Sequence, residues 1–171
     1  ADLVVPDPTP LDVAARGGDP EVVEVTAPDA SELDLVEARR ILGGGAGVGD
    51  ERYVELAGRI ADALGMSLGA TRVVTDWGWL PFERQIGTTG AMVDPEIYVA
   101  VAISGAVQHV SGLGEPELVV SVNTAGSCPM STMAEINLVS DGRAVLVALA
   151  DRLHLDVDPD LRATTPERTD G

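Results

Sequence analysis

Residues Ser104 to His109 read SGAVQH, directly follow the unbroken apolar run YVAVAI, and contain one of the chain's two histidines. A run of Tyr, Val, Ala and Ile without polar interruption is a strand covered on both faces, as in a parallel sheet flanked by helices. Ser-Gly-Ala after such a strand reads as a helix start. Ser104 caps it, Gly105 and Ala106 let a ligand come close, and the free backbone N–H groups there attract an anion.

Other positions could carry chemistry, each with a plainer alternative. The glycine cluster at 43–49, GGGAGVG, has no register that gives G-x-G-x-x-G and no lysine for a phosphate loop, so a tight strand-to-helix turn and a phosphate cradle both fit it. Arg72 is the one charge in GATRVV, read as a short strand, and must point at an acid, a ligand or water. Thr88 and Thr89 sit in the turn GTTG, Gly87 to Gly90, whose hydroxyls and backbone N–H groups suit a polar ring edge or simply close the turn. Asn123 ends a strand, where it can form an Asx turn, and Asp141 precedes a helix it can cap. His109 lies in a short helix, where a histidine serves for packing or as a ligand contact. Ser127 and Cys128 show no sign of activation.

These residues need elements to hold them. ARRILGG enters the glycine turn as a strand, and Val54, Ala57, Ile60, Ala61 and Leu64 mark an amphipathic helix over 51–64. GATRVV, residues 98–103, ELVVSV and INLVS are further strands, a last helix spans about 143–153, and the connection TDWGWLPFERQIGTTGAMVDPE is long enough to expect a functional loop. Such alternation predicts an α/β fold, a Rossmann-like three-layer sandwich with a mostly parallel sheet and helices on both faces. Ala46, Thr71, Ser104, Asn123 and Asp141 then fall at or beyond the C-terminal ends of strands, the edge where open α/β sheets bind ligands.

Composition bounds the rest. The 171 residues suit one domain with an appendage, and 45% hydrophobic content builds a core. A formal charge of −17, with no lysine, argues against nucleic acid and anionic membrane surfaces as partners. Cys128 is the lone cysteine, which forbids an internal disulfide, provides no zinc set and suits a reducing compartment. With no apolar stretch near the roughly 20 residues that span a bilayer and no signal segment at the start, the chain reads as cytoplasmic. Residues 1–37 read as an acidic, Pro-rich linker or the remnant of a preceding domain, with one short edge strand in EVVEVTAP. Residues 38–155 read as the folded domain and 156–171 as a polar C-terminal tail. A start at Ala1 without methionine suits a processed chain or part of a longer one.

The series GATR, DWGWLP, QIGTTG, DPEIYVAVAISGAVQH and VNTAGSCPM resembles, in order and spacing, the C-terminal FAD-binding domain of the electron transfer flavoprotein alpha subunit family. The likeness runs from about Leu35 to Leu153. Each motif is weak alone, and the series is specific. The resemblance implies FAD as cofactor, with Ser104, Gly105 and Ala106 receiving its pyrophosphate, Val107 and Gln108 completing that segment, and His109 reaching the isoalloxazine. It implies that Thr71, in place of the family's serine, and Arg72 lie near the ring, the latter favouring negative charge there. Ile86, Gly87, Thr88 and Thr89 match the loop beside the flavin and ribityl chain, with Thr88 where glutamine is usual, and Asn123 and Asp141 match adenosine-side contacts. It further implies an electron carrier that converts no substrate alone. The carrier pairs with a beta subunit, takes electrons from flavin dehydrogenases such as acyl-CoA dehydrogenases and passes them to a membrane quinone oxidoreductase. Most of the family's N-terminal domain would then lie outside this sequence.

The chain departs from the family at Ala46, where arginine is usual, at Thr124, where lysine is usual, and at Ala125, where aspartate is usual. A charge-assisted hydrogen bond contributes roughly 1.5–3 kcal/mol, so losing one cation at the phosphate end weakens a dinucleotide severalfold to a hundredfold without compensation. These departures motivate an alternative, a paralogue that keeps the fold as a nucleotide-binding or interaction module without redox-active FAD. A nicotinamide-dependent enzyme is disfavoured, because the glycine turn lacks the dinucleotide fingerprint.

Overall fold

The computed structural model describes residues 34–165. Its apolar runs form five strands, β1 (Arg40–Gly44), β2 (Ser67–Ala70), β3 (Ile97–Val101), β4 (Leu118–Asn123) and β5 (Ile136–Val139). They make one sheet in the order β2-β1-β3-β4-β5, every neighbouring pair parallel.

The composition of β3 follows from its place in the middle. Tyr98 and Ala100 point to one face, among Ile41, Ile103, Val119 and Met130. Val99 and Val101 point to the other, among Leu42, Val54, Ile60 and Leu146. Successive side chains alternate between faces, so a strand buried on both must be apolar throughout. Helices α1 (Glu51–Ala63) and α5 (Gly142–Arg152) cover the second face. Helix α4 (Pro129–Met133) and the segment through Ile86 and Val93 cover the first. The expected α/β three-layer arrangement is therefore the observed one. Helix α1 buries Val54, Ala57, Ile60 and Ala61 and starts at Asp50, whose carboxylate accepts the Arg52 amide. Leu64 of the expected stripe falls at the helix's C-cap and is exposed.

Four local outcomes differ from expectation. GATRVV is not one strand: β2 stops at Ala70, Thr71 turns, and Arg72–Asp76 form helix α2. Val74 is fully buried by that turn, so packing overrides the β preference of two adjacent valines. Ser104 does not cap the following helix, α3 (Val107–Val110), whose N-cap is Ala106. Two residues with positive φ, Ala102 at 55° and Gly105 at 84°, delay the helix start. The long connection is not a free loop, since Gln85, Ile86 and Val93 are buried and bridge to Ala70, Ala91 and Leu113. Within the segment read as a polar tail, Pro159–Thr164 form helix α6, with Leu161 buried and its carbonyl accepting the Tyr53 hydroxyl at 2.8 Å.

The expected edge strand in EVVEVTAP and residues 166–171 lie outside the described residues. Among the described residues, no helix is long and apolar enough to cross a membrane.

Candidate functional site

In this strand order the connections leave β1 and β3 on opposite sides of the sheet, and a crevice opens between their C-terminal ends. A cavity of about 590 Å³ lies there, within the about 300–1,000 Å³ common for small-molecule sites. Its floor is backbone. Gly45, Ala46 and Gly47 follow β1, and Ala102 to Ala106 follow β3. A Cβ on Gly45 would collide with the Ala102 carbonyl, and one on Gly47 would lie 3.0 Å from the Ala102 methyl. These two glycines allow the loops to meet.

The walls come from three segments. Thr71, Arg72 and Val73 begin α2; Gln85 to Thr89 form the second wall; Gln108 and His109, on α3, form the third, while Asn123 closes the β4 end. Backbone bonds tie the second wall to both neighbours: the Thr88 amide donates to the Gln108 carbonyl of the third wall at 2.9 Å, and the Ile86 amide donates to the Ala70 carbonyl at the end of β2 at 2.9 Å. The Gln85 side chain, itself buried, accepts from the Thr75 hydroxyl at 2.7 Å and donates to Thr89 Oγ1 at 2.8 Å. Thr89 then keeps its own proton to donate.

Twelve of the fourteen residues expected at the site line this cavity: Thr71 and Arg72, all of 86–89, Ser104 to Ala106, Gln108, His109 and Asn123. Val107 and Asp141 do not. Val107 points outward, 76% exposed. Asp141 caps α5, accepting the Arg143 amide at 2.8 Å and its guanidinium at 3.0 and 2.7 Å. That hydrogen-bonded guanidinium holds the Asp141 carboxyl below the usual range. Asn123 lines the cavity, but its amide nitrogen donates to the Ile103 carbonyl and its oxygen accepts from Ala125, so it also builds the Asx turn.

The cavity offers more donors than the protein uses. Among the described residues, the hydroxyls of Thr71, Thr88 and Ser104 and the N–H groups of Gly105 and Ala106 have no protein partner. Arg72 is the one formally charged side chain in the lining. Its head is 68% exposed and is held by Asp76 at 3.2 Å. Arg72 thus brings a cation, paired with Asp76, to the cavity of a chain whose net charge is −17.

His109 is 5% exposed. Its Nδ1 faces the Ile86 carbonyl at 3.1 Å and its Nε2 faces the Tyr98 hydroxyl at 2.8 Å. Burial pushes its pKa down to about 4, against the Ile86 carbonyl, which acts to raise it. Burial pushes the Tyr98 phenol upward. Both rings are therefore neutral at ordinary pH.

Gln85, Tyr98 and Ala102 were not singled out from the sequence. Gln85 sits within QIGTTG and is legible only as a polar residue in a segment that turns out to be buried. Tyr98 is one more apolar position of a strand. An alanine with positive φ leaves no mark in sequence.

FAD needs donors for a pyrophosphate, hydroxyl partners for a polyol chain and a cation near an electron-accepting ring. The unpartnered N–H groups and hydroxyls, the side-chain-free floor and Arg72 fit that group. The model of the electron transfer flavoprotein FAD-binding domain matches residues 34–114. The electron transfer flavoprotein subunit alpha of Paracoccus denitrificans is 36% identical over 147 residues, covering 84% of this chain and 48% of that relative. That of Chromohalobacter salexigens is 39% identical over 149 residues, 87% of this chain and 34% of the relative. Protein FixB of Clostridium saccharobutylicum is 35% identical over 129 residues, 75% and 39%. The chain spans between about a third and a half of the length of these relatives. With a cavity at the sheet's switch point, a donor set suited to a dinucleotide and these likenesses over most of its length, the chain belongs to the electron transfer flavoprotein alpha subunit family.

Proposed function

We propose that this chain is the FAD-binding part of an electron carrier that works with a beta subunit in the cytoplasm. It receives electrons from flavin dehydrogenases, acyl-CoA dehydrogenases among them, and hands them to a quinone oxidoreductase, converting no substrate itself. The observation that carries this is the convergence of Thr71, Arg72, the 86–89 segment, residues 104–106, Gln108 and His109 on one cavity at the β1/β3 switch point. The folded unit is taken as residues 38–155, and Val157 and Leu161 of the following segment add to its core cluster beside Tyr53.

Bound FAD supplies the redox chemistry. The protein's own residues bind, orient and charge the site. Ser104 Oγ and the free N–H groups of Gly105 and Ala106 hold the pyrophosphate. Thr71, Thr88 and Thr89 offer hydroxyls to the polyol and ring edge, and Arg72 favours negative charge within the cavity by its own cation. Asn123 closes the adenosine end. Asp141, engaged with Arg143, supports that end through the start of α5.

Ala46 and Thr124 favour a second reading. The glycine loop brings no cation to the phosphates, and Arg72 is the one charge in the lining, which suits a module that binds a nucleotide without redox-active FAD. The visible absorption spectrum of the protein, co-purified with its beta subunit, separates the two. A flavin spectrum near one FAD per heterodimer supports the carrier. A complex that stays colourless after addition of FAD supports the module.

A further inference from the structure

We propose that Ser131 is a positioning residue for a ligand's phosphates: paired with Ser121, it holds the first turn of α4 against the Ser104 carbonyl and so aims the Gly105 N–H into the cavity. The identity of the ligand as FAD rests on the functional reading above; the grip itself rests on the contacts of α4.

A trans peptide unit points its C=O and its N–H in opposite directions. The Ser104 carbonyl accepts from the Met130 amide at 3.1 Å, and Met130 stands outside the cavity lining. The Gly105 N–H of the same peptide unit therefore faces away from α4, toward the cavity that Ser104, Gly105 and Ala106 line. Met130 is free to donate because it follows Pro129 at the start of α4, where helix amides have no partner within the helix. Gly105 permits the approach: its φ is 84°, and a Cβ there would lie 2.5 Å from the Met130 nitrogen. One residue earlier, the Ile103 carbonyl accepts from the Asn123 side chain at 3.0 Å. Two successive carbonyls of the cavity floor are thus held from the β4–α4 connection.

A helix of five residues does not hold its own place. Ser131 is 4% exposed, and Ser121 on β4 is fully buried, with the two hydroxyl oxygens 3.1 Å apart. Ser131 Oγ also lies 3.3 Å from the Ala125 carbonyl and 3.3 Å from Cys128 Sγ. A carbonyl can only accept, so the Ser131 proton goes to Ala125, while the Ser121 hydroxyl and the Cys128 thiol donate to the Ser131 oxygen. One side chain thereby ties together β4, the turn after it and the N-cap residue of α4. Neither serine lines the cavity. Ser131→Ala leaves the buried Ser121 hydroxyl facing a methyl, and α4, released from β4, no longer fixes the direction of the Ser104 carbonyl.

The test uses the protein in complex with its beta subunit. Ser131→Ala should weaken FAD severalfold and move the ³¹P resonances of its bound pyrophosphate, while the visible absorption bands of the ring keep their positions. Unmoved ³¹P resonances or equal FAD affinity would overturn the proposal. Ring bands that shift together with the phosphorus signals would also overturn it, because they would mean a general loosening. Ser121→Ala should act in the same direction, and the double variant should bind FAD no worse than Ser131→Ala alone; additive losses would count against the pair. Should Ser131→Ala fail to fold, Ser121→Ala decides by the same two spectra. If the native protein takes up no FAD, the carrier function fails, and ADP serves as the probe: ³¹P resonances of bound ADP that differ between native and variant uphold the positioning role, and identical ones refute it.

Discussion

Gly87 and Gly112 cross backbone against backbone. A Cβ on Gly112 would collide with the Cα and amide nitrogen of Gly87, and Gly87, at φ 143°, would push a Cβ to within 2.8 Å of the Gln108 carbonyl. The segment carrying Thr88 and Thr89 therefore reaches the cavity only because two side chains are absent. Gly112→Ala should cost about 1–3 kcal/mol by overpacking and should loosen FAD. Equilibrium urea unfolding and flavin retention on gel filtration check both; unchanged values would show that the crossing is not needed.

Ala102 holds φ 55° without being glycine. A left-handed conformation costs a side-chain-bearing residue roughly 1–2 kcal/mol, partly offset in a glycine variant by greater unfolded-state entropy. Ala102→Gly should leave stability equal or raise it by up to about 1 kcal/mol. A marked loss in chemical denaturation would mean that the methyl's contacts with the 45–47 loop outweigh its strain.

Arg72 touches the protein mainly through an exposed pair with Asp76. Exposed pairs contribute about 0–1 kcal/mol, so Arg72→Ala should barely move the unfolding midpoint. FAD affinity should fall several- to tenfold, measured by fluorescence of released flavin. Equal affinity would remove Arg72 from the site.

Asp141 does the reverse. Loss of an N-cap costs about 0.5–2 kcal/mol, so Asp141→Ala should lower stability by about that amount while changing FAD affinity little, since its carboxylate is engaged by Arg143 outside the cavity lining. Loss of FAD without loss of stability would return Asp141 to the cofactor's direct contacts.

His109 makes stability depend on acid. Its pKa moves from 6.5 to about 4 through burial. Between those values the unfolded chain binds more protons, so stability is complete above about 6.5 and is lost as pH falls toward about 4, by up to roughly 3 kcal/mol. Unfolding at pH 7 and pH 4.5 should show that slope in the native protein and a smaller one in His109→Gln. Equal slopes would place the acid sensitivity elsewhere, in carboxylates such as Asp50 that Arg52 holds below their usual range.

The sequence by itself determined the sheet and most of the site's membership. Apolar runs such as 98–103 name buried parallel strands because a strand covered on both faces has no polar position, and residues at strand ends share one edge because parallel strands point the same way. The motif series around Arg72, Gly87 and Ser104 named the family on local grounds. Only the tertiary structure decided how those residues are used. Val73 and Val74 look like strand and become helix because Val74 is buried by turning. Leu161 sits in a polar tail and is anchored by Tyr53, more than a hundred residues earlier. His109 looks open at both ring nitrogens until the Tyr98 hydroxyl and the Ile86 carbonyl are seen beside them. In each case the deciding partner is distant in sequence, and local propensity or spacing carries no information about a hydrogen bond or a packing contact that forms only when separate segments meet.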